Sequence, residues 1–223
     1  MHLQKGKKIL IYLFLFLIVG SVNNIALTKI NFEKIKSIQI SGLNQNQNIN
    51  LLENIKELNI KNIFFLNGKE ISKIISSNSL VENYEIFKKY PYALDIKIER
   101  TKFLAKINNN GKTFLIGTNG KLSDVKFSDK DLPFIFGKPK IDEFMKFTHV
   151  IEQSKLPLNQ VKNLYFFQSK RWDLELKNNV ILKLSKDHTK LSLNQAFEIL
   201  NDNNFKSLKV IDARIKNQII LND

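Results

Sequence analysis

The chain has 223 residues, 43% of them hydrophobic and 25% charged, with 8 glycines and 4 prolines; this is the composition of a folded protein, with room for one membrane anchor and one or two small domains but not for a large enzyme. The absence of cysteine excludes disulfides, thiolate nucleophiles and Cys-ligated zinc. The formal net charge of +14 is almost wholly lysine, the arginines being Arg100, Arg171 and Arg214; nucleic-acid recognition favours the bidentate arginine fork, so the charge reads as a lysine-rich solvated exterior tolerant of anionic membranes, with no nucleic-acid partner.

The run ILIYLFLFLIVGSV from Ile9 carries no charge and extends to Leu27. As a helix at about 1.5 Å per residue, residues 9–27 span roughly 28 Å, close to the ~30 Å hydrocarbon core, and predict one transmembrane helix. His2, Lys5, Lys7 and Lys8 precede it without an acid among them, which places residues 1–8 as a cytoplasmic tail and everything beyond Leu27 outside. The rival is a cleaved signal peptide. Its best cut, after Ala26, has Asn24 where a small residue is needed, so a retained anchor is expected.

Beyond the anchor, Ile35, Ile38 and Ile40 predict a strand ending at Gly42, and the Asn/Gln-rich stretch 44–50 reads as a solvated loop. Leu51, Leu52, Ile55 and Leu58, then Ile71, Ile74 and Ile75, have the spacing of two amphipathic helices. Residues 81–88 and 94–100 read as strands joined through Tyr90-Pro91-Tyr92, the second alternating Leu94, Ile96 and Ile98 with Asp95, Lys97 and Glu99. Strand, helix, helix, strand, strand is a compact order for residues 35–102. From Thr101 onward the pattern is β-rich: 105–108 and 114–117 flank an Asn-Gly turn, and Trp172, Leu174 and Leu176 alternate with Asp173, Glu175 and Lys177. Two helices interrupt it, one carrying Phe144, Phe147 and Ile151, the other Leu193, Ala196, Phe197 and Leu200.

Signals for chemistry are weak. Gly111-Lys112-Thr113 mimics the end of a phosphate loop, but that loop needs a glycine five places earlier, where Lys106 stands, and a helix afterward. His149 and Glu152 share the i, i+3 spacing of metal ligands with nothing to complete a set. The carboxylate pairs Asp129/Asp131 and Asp142/Glu143 have glycosidase-like spacing, yet acids opening the Phe144 helix are explained by its dipole. No catalytic residue, cofactor or metal is expected. Trp172 reads as core, and Arg171 beside it as an exposed group able to contact an acidic partner.

The last element is the most informative. Residues 217–222 predict a strand in which Ile219, Ile220 and Leu221 are consecutive, so apolar groups should face both sides of the sheet. With the chain ending at Asp223, this edge is expected to be open and to be completed by a strand from another protein.

The segments IKSIQISG (35–42), NIFFL (62–66) and YPYALDIKIER (90–100) resemble the POTRA domain of the FtsQ cell-division family, whose first strand ends in glycine and whose last closes in Glu-Arg. RWDLELKNNVILKL (171–184) and SLKVIDAR (207–214) resemble the Trp-containing hairpin and Asp-x-Arg strand of the FtsQ β-domain. Departures are local: no proline precedes Ala105, Gly117 stands where the family often has aspartate, and Asn178-Asn179 replaces an Asn-Gly turn. The resemblance implies an α+β protein with an N-terminal transmembrane helix, a POTRA-type β-α-α-β-β domain (35–102) and a mostly antiparallel β-domain with peripheral helices (103–223). It further implies a non-enzymatic inner-membrane scaffold at the division septum, with its domains in the periplasm, that binds FtsB and FtsL-like proteins. A partner strand would be taken at an edge carrying Ile215, Asn217, Gln218, Ile219, Ile220 and Leu221, and other division proteins would meet the POTRA-like domain. The alternative is a POTRA-bearing protein of outer-membrane assembly or secretion, although no series of barrel strands follows.

Overall fold

The structure, a computed structural model, describes residues 3–21, 34–58, 60, 62–64, 66–124, 131–202 and 208–222. It opens with helix α1 (Leu3–Ser21), whose residues from Ile9 to Val19 are all exposed, Phe16 and Val19 by more than three quarters. Helix therefore begins within the expected cytoplasmic tail, and the expected span 9–27 runs beyond the described residues at position 22. Among those described, no helix is long and apolar enough to cross a membrane; Lys5, Lys7 and Lys8 occupy the first turns of α1, and the apolar run begins only after them.

The first folded unit follows the predicted order: β1 (Ser37–Ser41), α2 (Gln45–Lys56), α3 (Gly68–Ser77), β2 (Val81–Lys89) and β3 (Ala93–Arg100). The sheet order is β1-β3-β2, with β1 parallel and β2 antiparallel to β3. Leu94, Ile96 and Ile98 of the central strand pack against Leu51 and Ile55 of α2 and Ile71 and Ile75 of α3. Gly42 ends β1 at φ +112°, and a Cβ there would lie 1.8 Å from the Ile98 carbonyl oxygen, so only glycine fits.

One local expectation is corrected. Residues 45–50 are not loop but the first turns of α2, because Asn44 caps the helix: its Oδ1 accepts from Gln47 N at 2.9 Å while Gln47 Oε1 accepts from Asn44 N at 3.4 Å. This reciprocal box satisfies two otherwise unpaired helix N–H groups. Asn44→Ala should lower the stability of this unit by about 1 kcal/mol, measurable as a shift in urea midpoint.

The second unit is built on a sheet of nine strands among the described residues. Its strands are β4 (Phe103–Asn109), β5 (Lys112–Gly117), β6 (Leu122–Ser123), β7 (Phe134–Phe136), β8 (Val161–Phe166), β9 (Trp172–Leu176), β10 (Ile181–Leu184), β11 (Val210–Ala213) and β12 (Ile220–Asn222), with helices α4 (Ile141–Glu152) and α5 (Thr189–Leu200). The spatial order is β12-β11-β10-β9-β8-β7-β4-β5-β6. As expected, most of its pairings are antiparallel, but β4/β7, β7/β8 and β10/β11 are parallel. A parallel neighbour needs a crossover, and α4 supplies the one from β7 to β8 and α5 the one from β10 to β11. Asn110 (φ 52°) and Gly111 (φ 82°) make the β4–β5 turn, so the Gly-Lys-Thr triplet runs from a hairpin into a strand. Asn179 takes φ 64° in the turn where it replaces glycine.

Register sorts the side chains. Ile135, Leu164, Leu174, Leu182, Ile211 and Leu221 are cross-strand partners in one row from β7 to β12, and all of them belong to the core or pack on it. Phe144 and Phe147 of α4 and Leu193 and Ala196 of α5 complete that core. Trp172 is buried, stacked on Phe147 with centroids 4.6 Å apart and tilted against Phe144 and Phe166.

The two units share a polar joint. Glu82 of β2 accepts from the hydroxyls of Thr101 (2.8 Å) and Thr118 (2.7 Å), and Asn119 Nδ2 donates to the carbonyls of Ser79 (3.0 Å) and Val81 (2.9 Å). Ser123 of β6 donates to Ser79 Oγ at 2.6 Å. The β6 end of the large sheet is thus closed against the first unit, and Ser123 is buried.

Candidate partner-binding edge

At the opposite end, among the described residues, β12 is paired on one side only, antiparallel to β11 with Ile211 opposite Leu221 and Asp212 opposite Ile220. It is formed by Ile220, Leu221 and Asn222, three residues without a charge or a proline. Ile219 and Leu221 pack on the core, whereas Ile220 is 50% exposed on the other face. Apolar groups therefore face both sides, as the consecutive Ile-Ile-Leu implied. The strand is shorter than the expected 217–222: Asn217 has φ 61°, and Gln218 N donates to the Ile215 carbonyl at 3.2 Å, closing a turn. Ile215, Asn217 and Gln218 thus lie in the turn that leads to the edge, with Ile215 55% exposed.

Behind Ile220 a polar row crosses the sheet: Asp212, Lys183 and Asp173 are successive register partners on β11, β10 and β9. Each carboxylate is held by the arginine two residues away. Arg214 Nε donates to both Asp212 oxygens (2.8 and 2.9 Å), which pushes the Asp212 pKa down and that of Arg214 up. Arg171 donates to Asp173 from Nε (3.1 Å) and from a terminal nitrogen (3.2 Å), and its guanidinium lies 4.4 Å from the centroid of the Phe167 ring. Arg171 is therefore not the exposed group expected. Its side chain is 25% exposed, committed to a buried aspartate, and three strands away from β12. Strand alternation assigned Asp173 to solvent and missed it; an arginine two residues before a strand aspartate was the available signal, repeated in Asp212/Arg214 in reverse order.

Farther along this face Glu175 accepts from Asn163 Nδ2 (2.8 Å), Lys162 Nζ (2.8 Å) and Tyr165 Oη (2.7 Å). These contacts, that of Asn163 foremost, hold its pKa down at about 2, and burial together with the Glu175 hydrogen bond raises that of Tyr165. A depressed carboxylate contributes stability above its unfolded pKa and loses it as the pH falls through the folded one. Glu175 should accordingly stabilise the unit at neutral pH, with the contribution fading between the ordinary value of 4.5 and about 2. Glu175→Gln should cost roughly 1–3 kcal/mol at pH 7 and flatten the acid limb of a stability–pH curve.

The residues considered for chemistry do not converge. His149 and Glu152 are exposed, 3.8 Å apart on α4, and no group of metal-ligating side chains occurs among the described residues. Asp142 and Glu143 open α4, where Glu143 Oε2 accepts from Lys140 N at 3.0 Å; Asp129 lies outside the described residues.

Comparison with known proteins agrees with this architecture. A family model described as POTRA domain, FtsQ-type matches residues 33–100, and one described as cell division protein FtsQ/DivIB, C-terminal matches residues 105–214. The chain is 29% identical over 98 residues to cell division protein DivIB of Clostridium acetobutylicum, covering 44% of this chain and 39% of that protein, so it spans less than half of that relative's length. It is 27% identical over 205 residues to cell division protein FtsQ of Rickettsia conorii, covering 86% of this chain and 72% of that one. The solved major extracytoplasmic domain of the cell division protein DivIB from Geobacillus stearothermophilus is similar at 18% identity and a TM-score of 0.33, covering 47% of this chain and 96% of that one. From the two units, in this order and with their motifs in place, it follows that the chain belongs to the FtsQ/DivIB family of bacterial cell-division proteins.

Proposed function

We propose that this chain is a single-pass inner-membrane scaffold of the division machinery, periplasmic beyond its anchor, that links other division proteins by adding one of their strands to β12. The observation that carries this reading is the one-sided pairing of β12, with Leu221 extending the core row and Ile220 exposed beside it. A strand laid along that edge would gain backbone hydrogen bonds from β12, bury an apolar side chain next to Leu221 and place another beside Ile220. FtsB- and FtsL-like proteins are the partners the family relationship favours, and the three-stranded unit would offer a second recognition surface. The exposed apolar length of α1 supports the anchor, and the lysines before it support a cytoplasmic N-terminus.

The natural absence of cysteine makes the test clean. A single cysteine at Ile220, bearing a photocrosslinker, should yield an adduct with an FtsB-like membrane protein in dividing cells, while one at Asn110 in the β4–β5 turn should not. Equal adducts at both positions, or none at Ile220, would refute the edge assignment.

A further inference from the structure

The end of the first unit at which β1 begins carries exposed aromatic side chains. β1 starts, β2 ends and β3 starts at this end, since Ser37 and Lys89 are both register partners of Ala93. Their connection presents Tyr90 and Tyr92, 60% and 39% exposed, and Phe64 from the α2–α3 loop joins them with its ring centroid 5.0 Å from that of Tyr90. Neighbouring Ile63 is buried while Phe64 remains 48% exposed. Lysines border the aromatics: Lys36 Nζ lies 4.8 Å from the centroid of the Tyr92 ring, and Lys34 and Lys88 are exposed nearby in the chain. Asp95, the carboxylate beside the turn, is held by Lys89 at 2.9 Å. The opposite end of this sheet, at Thr101 and Glu82, is occupied by the joint to the second unit.

We infer that this aromatic tip seats in the headgroup layer of the membrane holding the chain's own N-terminal helix, with a preference for anionic phospholipid. The inference rests on the anchor reading above. If the anchor ends at Leu27, six residues separate it from Lys34, a reach of at most about 20 Å, so the tip is tethered beside the bilayer surface. Tyrosine and phenylalanine rings with lysines around them match that interface: the rings enter the boundary between headgroups and acyl chains, and the ammonium groups meet lipid phosphates. Contact at this tip would restrict rocking of the first unit on its short tether, and through the polar joint would fix the direction in which the β12 edge is presented.

The test uses the full chain in nanodiscs, with a fluorophore on a single cysteine at Lys88→Cys or, as a distant control, at Asn110→Cys, and a nitroxide quencher carried on the lipid. Seating predicts strong loss of fluorescence at position 88 and little at 110 in phosphatidylglycerol discs. The loss at 88 should be abolished by the combined substitutions Phe64→Ser, Tyr90→Ser and Tyr92→Ser, with the circular dichroism spectrum unchanged. Equal quenching at both positions, or quenching at 88 that survives the triple substitution, would overturn the seat and leave the anchor standing. Equal quenching at 88 in phosphatidylcholine discs would overturn the anionic preference. Release of the unlabelled chain by an alkaline wash would overturn the anchor reading and this inference with it.

Discussion

Trp172→Ala is expected to lower the stability of the C-terminal unit by about 3–5 kcal/mol, the range for removing a large buried aromatic. The indole lies between sheet and helix, stacked on Phe147 and edged by Phe144 and Phe166, and it is 6% exposed. Truncation would leave a cavity bounded by strands and helix backbone, which cannot collapse without breaking register. Because the cores of the two units are separate side-chain clusters, the loss should fall on one of two denaturation transitions. Circular dichroism should show the C-terminal transition at lower urea and the N-terminal one nearly unmoved. Trp172→Phe should cost less, because a ring still meets Phe147.

The second large effect concerns binding. Deleting residues 216–223 should abolish capture of the strand-donating partner while leaving membrane insertion intact, because α1 and the linker to β1 are untouched. Part of that loss would come from Leu221, which packs on the core, so a milder variant separates binding from folding. Ile220 points away from the core and is half exposed. Ile220→Lys should leave the unfolding midpoint within about 0.5 kcal/mol of the parent and weaken capture roughly 30-fold, as loss of a ~2 kcal/mol contact would. A lysine on an edge strand is also the device by which proteins discourage strand addition. Co-purification from solubilised membranes, quantified against the parent chain, measures both variants.

Much of the fold was legible because its periodicities are strong. Leu94, Ile96 and Ile98 alternate over a buried central strand, and Ile71 and Ile75 fall on one helical face, so the order of the first unit could be read directly. Phe144, Phe147, Leu193 and Ala196 likewise marked α4 and α5. The start of α2 was not legible, because Asn46, Asn48 and Asn50 are residues that favour turns and only the pairing of Asn44 with Gln47 makes the cap. The parallel pairings were hidden for another reason: strand direction depends on where the crossover helices land, which local pattern does not encode.

At the candidate edge, the consecutive apolar residues Ile219, Ile220 and Leu221 signalled side chains on both faces of the sheet, and the strand itself runs Ile220–Asn222. Asn217 and Gln218 fell outside the strand because Asn217 adopts a left-handed turn conformation. Arg171 was misread since Asp173, its partner, sits on a strand position that alternation assigns to solvent. The joint through Glu82, Thr118 and Asn119 joins residues more than thirty positions apart, a separation at which no local pattern operates.

Amide hydrogen exchange across Ile220, Leu221 and Asn222, with and without the purified strand-donating partner, reads the β12 edge most directly. If the edge is completed by another chain, the amides of this segment that face away from β11 should exchange quickly in the isolated protein and become strongly protected in the complex, while β6 at the far end is unchanged. Protection that is already complete in the isolated protein, or that does not change on complex formation, would contradict strand addition at β12.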